Sequence, residues 1–112
     1  MKEYLLLFRG GLNYNTLSPE QLQANMQPWK VWMDSLAKAG KLGGGERLHN
    51  DGAVIKGAER QVVDGPYAEA KEVIGGYILV KTEGKQEAVE IAKGCPIFEN
   101  GGFVEVREVA KM

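Results

Sequence analysis

The sequence predicts an α+β sandwich: two helices on one face of a mostly antiparallel sheet, with an added β-hairpin. Three observations predict it. Two segments carry apolar residues at helical spacing, and a series of short β-like runs lies around and between them. The joints between those runs hold Gly, Asn and Asp, the residues of tight antiparallel turns. The resulting order, β-α-β-β-β-β-α-β, is that of a ferredoxin-like sandwich once the small hairpin strands are set aside.

The elements follow in chain order. Tyr4-Leu5-Leu6-Leu7-Phe8 is a continuous apolar run stopped by Arg9-Gly10-Gly11, and it reads as a central strand buried on both faces. Leu12 to Leu17 reads as a loop. Ser18-Pro19-Glu20-Gln21 is a helix start: the Ser18 hydroxyl can accept from the Gln21 N–H, and Gln21 can reach back to Ser18. Pro19 takes the first helical position, where a missing N–H costs nothing. Leu22, Met26, Trp29, Met33 and Leu36 then mark one helical face, and Gly40 ends it. Pro28 lies inside this helix and predicts a kink or a break.

Lys41 to Leu48 reads as a strand made irregular at its start by Gly43-Gly44-Gly45. Asn50-Asp51-Gly52 signals a hairpin turn into a return strand at Ala53-Val54-Ile55. Lys56-Gly57-Ala58 turns again into Glu59 to Val63. Val73 to Lys81 is the longest strand, and Gly75-Gly76 near its start predicts a bulge or a close approach of another group. In Thr82 to Gly94, Ala88, Ile91, Ala92 and the following Cys95 fall at helical spacing; the segment reads as a second helix, capped by Gly94 and terminated by Pro96. Phe103 to Val109 is the last strand.

Composition bounds the rest. A chain of 112 residues, 44% hydrophobic and 26% charged, has room for one domain and one core. Its 14 basic and 15 acidic residues form no basic stripe, which argues against a nucleic-acid partner. The longest apolar run is far too short to span a membrane, and the first residues lack the pattern of a secretory signal. A single cysteine excludes an internal disulfide, and together these features favour the cytoplasm.

The most informative stretch is Asp64-Gly65-Pro66-Tyr67-Ala68-Glu69-Ala70-Lys71-Glu72, a polar segment held between two β-like runs. It resembles the DGPFAETKE-type motif of the DGPF branch of the YCII-related family, with Tyr67 for Phe and Ala70 for Thr. The likeness continues through Gly75-Gly76-Tyr77, Cys95-Pro96 and Gly101-Gly102-Phe103-Val104-Glu105-Val106-Arg107. The resemblance implies a homodimer joined back to back through its sheets, the dimeric α+β barrel arrangement. Related proteins outside this branch carry a histidine on the first helix, proposed to work with an aspartate. That position falls near Trp29 here, and no histidine occurs before His49. That departure argues against carrying over a hydrolase or dehalogenase mechanism from those relatives.

Asp64 is the one candidate catalytic residue, as a general base or as an acceptor for a small ligand; a turn-forming role fits it as well. Tyr67, Trp29, Glu69 and Lys71 are the candidate ligand-binding residues, around a pocket between the first helix, the Asp-Gly-Pro-Tyr loop and the sheet, with Asp64 at its rim. Glu69 and Glu72 read equally as a solvated charged pair, and Trp29 with Trp32 as packing. His49 reads as a surface residue beside a turn. Cys95 reads as a small core residue, its thiol pKa raised by the helix end before it. One histidine and one cysteine argue against a metal, and the sequence implies no cofactor. Two functions fit: a small-molecule-binding or regulatory module, or a cofactor-independent enzyme moving a proton with Asp64 or a nearby glutamate.

Overall fold

A computed structural model of the chain describes residues 1–11, 16–49, 51–65 and 73–111. Four strands form the main sheet: β1 (Lys2–Arg9), β2 (Leu42–Arg47), β5 (Ile74–Thr82) and β6 (Phe103–Glu108). Their order is β2-β5-β1-β6, with every neighbouring pair antiparallel. Strands β3 (Gly52–Lys56) and β4 (Gln61–Gly65) form a separate two-stranded sheet. The helices are α1 (Pro19–Lys38) and α2 (Lys85–Lys93), and a 3₁₀ helix follows at Pro96–Asn100. The result is the predicted mixed α+β fold.

The β pleat divides the apolar strands into two faces. On one face Tyr4, Leu6 and Phe8 of β1 lie beside Ile78 and Val80 of β5, all buried. Trp32 and Leu36 of α1 and Ala88 and Ala92 of α2 belong to the same buried cluster. On the other face Leu5, Leu7, Tyr77 and Leu79 are half-buried. The expectation that β1 is buried on both faces thus holds for one face in the single chain, because both helices pack on the same side.

Helix α1 begins as its sequence predicts. The Gln21 N–H donates to Ser18 Oγ at 3.2 Å, and the Ser18 N–H donates to Gln21 Oε1 at 2.9 Å. The helix then runs unbroken through Pro28, so the predicted break does not occur. Pro28 is exposed, and the buried anchors Trp32 and Leu36 hold the turns that follow it.

The two glycine runs produce the predicted irregularities. The register of β2 on β5 skips Gly43, and that of β1 on β5 skips Gly75. The predicted hairpin partner is overturned. Strand β3 does not return along β2; it pairs with β4, while β2 pairs with β5. The joining turn is Gly57–Arg60, where Gly57 and Arg60 both have positive φ, and Asn50 lies outside the described residues. Thr82 belongs to β5 rather than to α2; its buried hydroxyl donates to the Gly84 carbonyl at 3.0 Å.

Candidate functional site

A cavity of about 510 Å³ lies between α1 and the end of the sheet where β1 runs into Gly10-Gly11 and β5 begins. Helix α1 lines it with two adjacent stripes. Met26, Trp29 and Met33, spaced three and four apart, give an apolar wall. Gln23, Gln27 and Lys30, spaced four and three apart, give a polar border. Phe8 comes from β1 and Ile78 from β5, while Ile97 and Asn100 come from the 3₁₀ helix.

Glycines shape the sheet side of this space. Gly45 stands opposite Ile78, and Gly76 opposite Arg47. A Cβ on Gly45 would collide with the Tyr77 carbonyl and lie 2.8 Å from the Ile78 Cα. A Cβ on Gly76 would lie 2.8 Å from the Glu46 carbonyl oxygen. Close approach of β2 and β5 therefore requires both residues to lack side chains. Strand alternation places Arg47 on the helix-covered face with Gly45, and Glu46 on the opposite face with Tyr77.

Two rings of the cavity wall, Phe8 and Trp29, meet each other and the Trp32 ring behind them in edge-to-face contacts. Their centroids are 5.0 Å apart for Phe8–Trp29, 5.9 Å for Trp29–Trp32 and 6.0 Å for Phe8–Trp32. The two indoles differ in their polar edges. The Trp32 N–H donates to the Ile91 carbonyl at 3.3 Å. The Trp29 N–H is buried and has no hydrogen-bond partner among the described residues. A buried donor left unmade costs roughly 1–3 kcal/mol.

Two partly exposed ion pairs lie outside the cavity. Arg9 Nη2 lies 2.8 Å from Glu105 Oε1 across β1 and β6, and Lys41 pairs with Glu87. Hydrogen bonding from Lys41, then from the Glu83 N–H, holds the Glu87 carboxyl below its ordinary value. Burial pushes the Cys95 thiol up to about 12, partly offset by a backbone hydrogen bond from Ile97. Cys95 is thus the core residue predicted, with burial rather than a helix dipole as the cause.

The predicted site residues divide into three groups. Trp29 lines the cavity. Asp64 lies on β4 opposite Ala53, exposed, and is not among the described residues of the cavity lining. Tyr67, Glu69 and Lys71 lie outside the described residues. His49 is exposed. Among the described residues, no three His, Cys, Asp or Glu side chains are grouped to hold a metal, and no helix is long and apolar enough to cross a membrane. Sequence reasoning missed Phe8, Lys30, Arg47 and Ile97. Met26 and Met33 carried a signal, since they share the helical face of Trp29.

Fold and cavity define an antiparallel α+β sandwich with a chamber under its first helix. The YCII-related domain model matches residues 11–112, and the chain belongs to that family. None of the curated proteins matches it. Among solved structures, the chain is similar to 5-chloro-2-hydroxyhydroquinone dehydrochlorinase from Burkholderia phenoliruptrix AC1100, in complex with 2,5-dihydroxybenzoquinone. That likeness covers 98% of this chain and 95% of the other at 16% identity, with a TM-score of 0.48.

Proposed function

We propose that this chain is a cytoplasmic, homodimeric small-molecule-binding or regulatory module of the DGPF-type branch, taking its ligand in the cavity under α1. The observation that carries this reading is the cavity itself. Its volume, about 510 Å³, falls within the roughly 300–1,000 Å³ of small-molecule sites. Apolar side chains wall it and a few polar groups border it, the composition such sites use. The motif from Asp64 to Glu72 supports the branch. The segment carrying Tyr67, Glu69 and Lys71 ends at Val73, whose carbonyl accepts from the Gly10 N–H at 3.1 Å beside the cavity, and we assign those three residues to ligand contact. The half-buried Leu5, Leu7, Tyr77 and Leu79 supply an apolar patch for the partner copy.

The rival reading is proton transfer by Asp64 or a nearby glutamate; the exposed Asp64 carboxylate on β4 lends it no support, and Glu69 and Glu72 lie outside the described residues. Calorimetric titration with 2-naphthalenemethanol, a neutral probe of suitable size, tests the cavity. Binding that Met33→Trp abolishes by filling the space is expected; equal binding by the two proteins sinks the site. Sedimentation at micromolar concentration tests the dimer, and a lone monomer there contradicts it.

A further inference from the structure

We propose that the cavity selects planar aromatic acids: the ring lies against Phe8, Trp29 and the two methionines, and the carboxylate meets Lys30 and the Trp29 N–H. This rests on the binding reading above and narrows it to a ligand class. The first argument is the division of α1 into stripes. Met26, Trp29 and Met33 form one, and Gln23, Gln27 and Lys30 form the next, so a ligand under the helix has an apolar side and a polar side. A molecule with one flat apolar body and one polar head matches that division.

The second argument concerns the body. Phe8 and Trp29 meet edge to face at 5.0 Å with an interplanar angle of 85°, so two aromatic surfaces at a right angle bound the space. A further ring extends such a cluster by the same edge and face contacts. Met26 and Met33 add polarizable thioethers that favour contact with aromatic rings and adapt to their shape. A flexible alkyl chain gains none of these directional contacts.

The third argument concerns the head. Lys30 directly follows Trp29 and lines the same cavity. It offers donors and a positive charge. Trp29 itself holds a buried N–H with no partner among the described residues, although a phenyl ring would have filled this position without that cost. A carboxylate beside the indole gives the donor a partner once a small shift of the adjoining side chains opens the N–H to the cavity, and Lys30 balances its charge. Lys30 and the indole N–H only donate, so where these two meet the ligand an anionic head is favoured over a cationic one; Glu46, also in the lining, projects to the opposite sheet face.

Calorimetry with 2-naphthoate, 2-naphthalenemethanol, 2-naphthylmethylamine and octanoate tests the inference on the full chain. 2-Naphthoate is expected to bind tighter than the other three. Lys30→Gln should weaken 2-naphthoate about fivefold and leave 2-naphthalenemethanol unchanged. Trp29→Phe should weaken 2-naphthoate by about the same factor, while its thermal melt shows an intact fold. If 2-naphthoate binds no tighter than the amine, or Lys30→Gln changes nothing, the acid assignment is overturned. Equal binding of octanoate overturns the aromatic part. In either case binding of 2-naphthalenemethanol leaves the cavity reading standing; if no probe binds, both fall together.

Discussion

Trp32 donates its indole N–H to the carbonyl of Ile91 at 3.3 Å, joining α1 to α2 above the sheet. The same carbonyl accepts from the Gly94 N–H at 3.1 Å, so it keeps a partner when Trp32 is replaced. Trp32→Phe therefore loses one net hydrogen bond, about 1 kcal/mol, together with some buried ring area. Trp29→Phe deletes a donor that has no partner among the described residues, and it should cost less than Trp32→Phe. Urea unfolding of the two variants checks this; the reverse ranking would show that Trp29 carries more of the packing than its contacts indicate.

Gly45→Ala and Gly76→Ala should each destabilise the chain by about 1–3 kcal/mol, the range for overpacking. In both cases the new Cβ meets backbone atoms, which cannot rotate away as a side chain does; at Gly45 it also meets the Ile78 Cγ2. Gly84→Ala is the control, since a Cβ there meets nothing within 4 Å. Chemical denaturation of the three proteins is the measurement. Equal midpoints for Gly84→Ala and Gly76→Ala would mean that β2 and β5 separate at no cost.

Stability should fall at both ends of the pH range, for different groups. Glu3, bonded to Lys111, and Glu87, bonded to Lys41, have folded pKa values below the ordinary 4.5. Their contribution is present above that value and is lost as pH falls through the lower folded one. Cys95 shifts the other way, from 9.0 to about 12. Its contribution is present below pH 9 and is lost as pH rises toward 12, because the unfolded thiol ionises first. Tyr4, raised by burial and then by the Glu108 charge, acts in the same direction from pH 10 upward. Cys95→Ala should flatten part of the alkaline decline in urea midpoint; an identical pH profile in the variant would contradict burial as the cause.

Local chemistry was legible where one short segment decides the outcome. The capping box at Ser18 and Gln21, the apolar period through Leu36, and the irregularities at Gly43 and Gly75 all follow from residues a few positions apart. Pairing was not legible, because Asn50-Asp51-Gly52 announces a turn without naming the strand that will lie alongside. The cavity was half legible for a related reason. Trp29 and its methionine neighbours share a helical face, whereas Phe8, Arg47 and Ile97 meet them only through sheet order. Asp64 drew attention as a charge beside a turn, and the ladder to Ala53 places it on the outlying hairpin.

That hairpin has a consequence for how the chain reaches its fold. Strands β2 and β5 are sheet neighbours, yet 26 residues separate Arg47 from Ile74. Closing such a stretch as slack chain is entropically unfavourable, and each halving of its length recovers about 0.6 kcal/mol. The β3–β4 unit occupies 14 of those residues and brings Gly52 opposite Gly65. Hairpins form in about 1–10 μs, well before distant strands meet. Pulse-labelled hydrogen exchange should find amides of this ladder transiently protected ahead of those in β2. A strand pair that contributes no side chain to the buried core should thereby act as a clamp in the chain, bringing β2 and β5 within reach of each other during folding.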